Sequence, residues 1–259
     1  MSILEISSSI QKYFPEYQEL LLETFDLDLI SDYIEFLKDK NEQGGFFSKR
    51  DAEHILERHI IEAMYFVYVL SGNDLVSRET KLVDVGTGPG LPGFLFVCMK
   101  ESPKVTLLDG SKRKLGLTEE WWKGLQIKYP EKDCKFQYTR AEEWKNHFDL
   151  VVMRAAIPYP FSVEIVSRLV LKDGYFCPFL GKEQKWELIE KRILSESGFT
   201  IEGSIDLEDL SFLGERHIKV LKKHSQAKHG IPREWKIISK EIKEQEWEKS
   251  SQSAIKKAE

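Results

Sequence analysis

The run Lys81-Leu-Val-Asp-Val-Gly86-Thr-Gly-Pro-Gly-Leu-Pro-Gly93 constrains this chain more than any other segment. A short apolar run of strand character enters a cluster of glycines, and Leu91–Lys100 then reads as a helix. Gly86 and Gly88 let the backbone turn sharply and approach a ligand with no Cβ in the way. Pro89 and Pro92 stiffen the turn into a preformed shape. A strand, a glycine turn and a helix in this order open an α/β sheet whose ligand edge lies at the carboxyl ends of its strands.

The periodicity on either side agrees. Upstream, Leu20, Leu21, Phe25, Leu29, Tyr33, Phe36 and Leu37 recur at helical steps, as do Ile55, His59, Ala63, Phe66 and Leu70. Gly44 and Gly45 separate the two stripes, and Ser48 is a candidate cap for the second. After Asn73-Asp74 short apolar runs alternate with helical stretches. Strands are predicted at 81–85, 105–109, 135–139, 149–153, 175–180, 200–207 and 216–221, and helices at 91–100, 112–128, 160–171 and 185–197. Such alternation predicts an α/β fold, a mostly parallel seven-stranded sheet covered on both faces, with the last two strands closing it as an antiparallel hairpin. The chain then divides into N-terminal helices (1–75), a sheet domain (76–223) and a tail (224–259) that is basic at first and mixed in charge beyond, where a frayed helix or disorder is expected.

A 41% hydrophobic content over 259 residues excludes a disordered or disulfide-stapled chain. Cys98, Cys134 and Cys177 are scattered, with no metal-ligand spacing, so no metal is expected. The apolar run Ile60–Leu70 is too short to span a bilayer and contains Glu62. With no leader pattern apparent, a cytoplasmic monomer without membrane partners is the expectation.

The chemistry of the turn separates two ligands. A dinucleotide site wants a small residue at the third position of G-x-G-x-x-G, and Leu91 stands there. S-adenosylmethionine (SAM) carries no phosphate, so Asp84 just before the turn is tolerable for it and suits its cationic amino-acid end. Asp109, closing the second strand, is placed for a ribose diol. Arg140-Ala141-Glu142-Glu143 follows the third strand, where a loop can bracket an adenine. Arg154 ends the fourth strand, where substrate and cofactor should meet. A purely structural glycine turn is the competing reading.

Asp84–Gly93, Arg140-Ala-Glu-Glu143, Phe148-Asp-Leu-Val-Val-Met-Arg154-Ala155, Gly214–Lys223 and the upstream Ile55-Leu-Glu-Arg-His59-Ile-Ile-Glu62 together closely resemble the ribosomal RNA small-subunit methyltransferase G family. The likeness covers about 46–223. It implies a Rossmann-like class I SAM-dependent methyltransferase fold and methylation of N7 of one guanosine in 16S rRNA. It also implies cofactor contacts at Gly86, Leu91, Ala141, Glu142 and Arg154, beside the Asp84, Gly88 and Asp109 contacts read from the turn, with Arg154 the candidate catalytic residue. The sequence departs from the family at Phe46-Phe-Ser48, at Phe179-Leu-Gly181 and in the C-terminal motif, of which only Ile231-Pro-Arg233 is visible.

An RNA partner, 16S rRNA or the 30S subunit, asks for local positive charge in a chain of net charge −5. Lys112 and Arg113 (with Lys114) open a helix at the expected ligand edge, and Arg58 and His59 face it from the upstream helices. Residues 214–240 hold eight Lys/Arg against two acids, among them Arg216, Lys222 and Lys223. Trp121-Trp122 reads as core. Two alternatives stay open: a SAM methyltransferase acting on a small molecule or protein, and a non-catalytic RNA-binding assembly factor.

Overall fold

Leu82 and Asp84 alternate with Val83 and Val85 along β1 (Lys81–Val85), and all four are buried, as in a strand covered on both faces. The computed structural model describes residues 1–182 and 186–258. From one edge to the other its sheet runs β3 (Cys134–Tyr138), β2 (Lys104–Asp109), β1, β4 (Phe148–Arg154), β5 (Val170–Leu180), β7 (His217–Lys223) and β6 (Phe199–Asp206). The first five are parallel; β7 runs antiparallel to both β5 and β6. The predicted seven strands and closing hairpin are present, with β7 inserted between β5 and β6. The register of β6 on β7 shifts between Ile201 and Gly203. Strand order reverses between β1 and β4, which opens a crevice at their carboxyl ends.

Several helices differ from the periodic pattern. α6 (Gly93–Val97) starts late because Leu91 and Pro92 still belong to the turn, and stops early because Met99 forms an antiparallel bridge with Phe25. α7 (Lys112–Leu125) continues as a 3₁₀ turn to Lys128, close to expectation. α8 (Phe161–Val166) is cut short because Val170 already pairs with Phe148 in β5. α9 (Glu187–Ser197) follows; the predicted start at 185 lies outside the described residues.

Upstream lie α1 (Ile3–Tyr13), α2 (Gln18–Thr24), α3 (Leu27–Gly44), α4 (Lys49–Ala52), a π-helical turn (Leu56–Ile61) and α5 (Glu62–Gly72). The first stripe is broken at Phe25-Asp26. There the Asp26 N–H bonds Cys98 O at 2.8 Å, and the Asp26 side chain caps α3 by accepting from Leu29 N at 3.1 Å. Leu20 is consequently 47% exposed, while the other six members of that stripe are buried. Ser48 caps α4 as expected, accepting from Asp51 N.

Each face of the sheet has its own core. Leu82, Leu107, Leu150 and Val152 meet the N-terminal helices, α6 and α7, including Trp122. Val83, Val85, Val151 and Phe176 meet α8, α9 and α10 (Trp235–Ala258). The tail is therefore helical from within its basic stretch: Ile238 and Ile242, four residues apart, bury on the second core. No described helix is long and apolar enough to cross a membrane.

Candidate active site

At the end of β1 the chain turns back on itself through Gly86, whose φ is +71° and whose added Cβ would lie 2.3 Å from that of Ala156. The N–H groups of Gly86 and Thr87 both donate to Leu108 O, at 2.8 and 3.2 Å. Asp84 is fully buried behind this turn. Its Oδ2 accepts from Thr87 Oγ1 at 2.5 Å and from Gly93 N at 2.8 Å, while Oδ1 has no hydrogen-bond partner among the described residues. Burial outweighs these bonds and pushes the Asp84 carboxyl up to about 6. Pro89 O accepts from Tyr33 of α3 at 2.9 Å and from Thr118 of α7 at 2.8 Å, so helices from both sides of the turn in sequence hold it in place.

Asp109, at the end of β2, joins the turn to the next helix. Oδ2 accepts from Gly88 N at 2.9 Å and Oδ1 from Ser111 N at 2.8 Å. Both oxygens keep a lone pair for a diol. In front of these groups opens a cavity of about 480 Å³, lined by Gly86, Asp109, Ala141, Glu142, Ala156, Ile157, Ile165 and Trp235 among others. Its lining is polar at Asp109, Ser111 and Glu142 and apolar at Ile157, Ile165 and Trp235.

A second cavity, of about 460 Å³, is lined by Ala155, the residue before Ala156 of the first, and by Arg58, His59, Glu62, Arg154, Phe179 and Arg216 among others. Ala155 sits at φ +54°, a left-handed conformation that costs a non-glycine residue about 1–2 kcal/mol. Glu62, 5% exposed, binds two arginines: Oε2 accepts from Arg154 Nη1 at 2.8 Å and Oε1 from Arg216 Nε at 2.6 Å. His59 stacks on Phe47 with centroids 4.3 Å apart, and its Nδ1 lies 3.5 Å from Arg154 Nη2. Burial first, and then the Arg154 charge, hold the imidazole down to about 4, so it is neutral at physiological pH.

The family model described as GidB, rRNA small subunit methyltransferase G, matches residues 26–207. The chain belongs to this family. Curated relatives carrying the name ribosomal RNA small subunit methyltransferase G include that of Leptospira interrogans, 48% identical over 93% of this chain and 94% of its own length. That of Leptospira biflexa is 46% identical over 92% and 96%. Among solved structures, magnesium protoporphyrin IX methyltransferase from Synechocystis PCC 6803 with bound SAM superposes with a TM-score of 0.52 at 16% identity, over 73% of this chain and 97% of that one. The latter likeness is one of fold, and the fold is that of the class I SAM-dependent methyltransferases.

Within this family member, four of the residues expected at the cofactor (Gly86, Asp109, Ala141 and Glu142) line one cavity. Asp84, Gly88 and Leu91 stand behind it: Asp84 and Leu91 are buried, and Leu91 N donates to Thr87 O at 2.9 Å. Arg154 lines the neighbouring cavity with Arg58, His59 and Arg216. Lys112 and Arg113 are exposed at the first turn of α7, on the carboxyl side of β2.

Two of the expected RNA contacts stand apart from the site. Because β7 runs antiparallel to β5, its last residues return to the opposite edge of the sheet, where Lys222 pairs with Tyr175. Lys223 is 3% exposed, and its ammonium donates to Ser167 O and Ser197 O, so it is a pin between two helix ends. Burial pushes it down to about 8. The sequence reading also passed over Glu62 and Trp235. The signal for Glu62 was present, a single acid inside an otherwise apolar run.

Proposed function

We propose that this chain transfers a methyl group from SAM to N7 of a guanosine in 16S rRNA, acting on the 30S subunit or its precursor. The observation that carries the reading is the pair of cavities lined by the consecutive residues Ala155 and Ala156, just past β4 at the strand-order reversal. One suits a nucleoside; the other is lined by arginines and an aromatic-stacked histidine, and its two carboxylates, Asp51 and Glu62, are each bound to an arginine.

The residues present fit SAM. Asp84 Oδ1 is a buried acceptor with no partner among the described residues, beside a turn that admits no Cβ at Gly86, so a cationic ligand group finds a ready counter-charge. Gly86, Asp109, Ala141 and Glu142 would hold the nucleoside. SAM supplies an electrophilic methyl on a sulfonium, already activated.

Guanine N7 presents an in-plane lone pair and no proton at neutral pH, so the protein needs only to aim it. His59, held neutral by its burial, is only a weak base near pH 7. Arg154 gives one N–H to Glu62 and retains others, which suit the O6 acceptor beside N7. Catalysis here is proximity and orientation. The fixed guanidinium adds a hydrogen bond to the base edge, and exposed Lys112 and Arg113 serve the phosphates.

Incubation with methyl-labelled SAM and 30S subunits should label 16S rRNA at one guanosine that becomes sensitive to N7-specific strand cleavage. Label in protein or metabolites alone would overturn the reading.

A further inference from the structure

Trp235 belongs to the C-terminal segment, beyond residue 207 where the family match ends, yet it lines the same cavity as Asp109, Ala141 and Glu142. We infer that Trp235 forms the aromatic wall for the adenine ring of the cofactor, and that the segment around it is a clasp fastened to hold that wall. The inference rests on the SAM reading above and adds a residue to that site.

The position of the ring is fixed by its neighbours in sequence. Arg233 meets Glu164 of α8 three times: through its backbone N–H at 2.9 Å, Nε at 2.8 Å and Nη2 at 2.6 Å. Glu164 is 1% exposed, so this fork is a buried, charge-assisted lock. Arg233 Nη1 also reaches Glu241, which pairs in turn with Arg192 of α9. Upstream, Arg168 Nε donates to Ile231 O at 2.8 Å; downstream, Ile238 is wholly buried. Trp235 is held between these anchors.

The lining of the cavity offers two kinds of surface. Asp109 beside the Gly86 turn supplies polar groups suited to a ribose. Ile157, Ile165 and Trp235 supply apolar surface and pack in one cluster with Ala141, the loop residue already expected at a base. A flat heteroaromatic ring against an indole gains stacking that an aliphatic side chain of similar bulk does not supply.

Isothermal titration of the full chain with S-adenosylhomocysteine and with methylthioadenosine, which lacks the amino-acid end, tests this. Trp235→Leu keeps apolar bulk and should weaken both ligands by about the same factor, near tenfold, whereas Trp235→Phe should stay within about threefold of wild type. The thermal melt of the apo-protein should be little changed in Trp235→Phe. Loss of S-adenosylhomocysteine affinity alone, with methylthioadenosine unaffected, would move the ring to the other end of the cofactor and overturn the inference. So would Trp235→Leu binding both as wild type does. Wild-type protein that binds neither ligand would instead overturn the SAM reading itself. Should Trp235→Leu melt early, the ligand-induced change in tryptophan fluorescence decides: it should shrink in Trp235→Phe, and an unchanged signal would place the ring away from the ligand.

Discussion

Arg154 Nη1 and Glu62 Oε2 meet at 2.8 Å across 92 residues of sequence, tying the end of β4 to the first residue of α5. The same carboxylate holds Arg216 from the start of the closing strand. One buried acid therefore sets the positions of two cations lining the proposed substrate cavity. Removing one member of a buried pair leaves an uncompensated charge, at about 3–5 kcal/mol. Glu62→Ala should lower stability in urea by about 3 kcal/mol, the lower end, because Arg216 is partly exposed. Glu62→Gln should keep S-adenosylhomocysteine affinity while methyl transfer to 16S rRNA falls by at least about tenfold, a loss of orientation rather than of cofactor.

At Gly86 an added methyl would meet Ala156 at 2.3 Å in a left-handed backbone; at Gly88, φ +60°, it would meet nothing within 4 Å. Gly88→Ala should therefore cost only the conformational strain, about 1–2 kcal/mol in a thermal or urea melt. Gly86→Ala should cost more and also reduce S-adenosylhomocysteine affinity by at least about tenfold in calorimetry. Equal melts for the two variants would mean that the contact with Ala156 is easily relieved.

If Asp84 holds the cationic end of the cofactor, acid should weaken ligand binding. Its carboxyl, raised to about 6 in the fold, stabilises the apo-protein in the protonated form, a gain lost as pH rises from the unfolded value through 6. Binding a cationic group demands the opposite, ionised form. Affinity for S-adenosylhomocysteine should therefore climb between pH 5 and 7 and then level off, with a slope approaching tenfold per unit at the acid end. Asp84→Asn should bind weakly with no such slope, and wild-type affinity flat across this range would remove Asp84 from cofactor binding.

Phosphate contacts are expected at the carboxyl edge alone. Lys112→Glu with Arg113→Glu should weaken binding to 16S rRNA and reduce its salt dependence by the share of those two charges. Lys222→Glu, beside Tyr175 at the far edge, should leave both unchanged. Filter binding at two salt concentrations distinguishes them.

What could be read in the sequence was local. The glycine turn, Asp84 and Asp109 lie within 30 residues of one another, and strand period and turn chemistry suffice to place them. Glu62 and Arg216 are 154 residues apart, and no spacing rule connects them. Lys222 and Lys223 looked like part of a basic surface because charge along a chain does not reveal that a strand has reversed direction. Trp235 was hidden for the same reason: Arg233 finds Glu164 only after the sheet has formed. The long helical stripe 20–37 failed at Leu20 because Phe25 and Asp26 were drawn into pairing with Met99 and Cys98, just past α6, a tertiary demand that periodicity does not contain.

The slipped pairing between Ile201 and Gly203 bears on what the border of the sheet offers to another chain. β6 has β7 on one side and, among the described residues, no strand on the other, so its outer backbone groups could template a second chain. A kinked border carrying exposed Glu202 and Asp206 offers no straight, uncharged row for another strand to zip against. That flank is thereby guarded against edge-to-edge strand pairing.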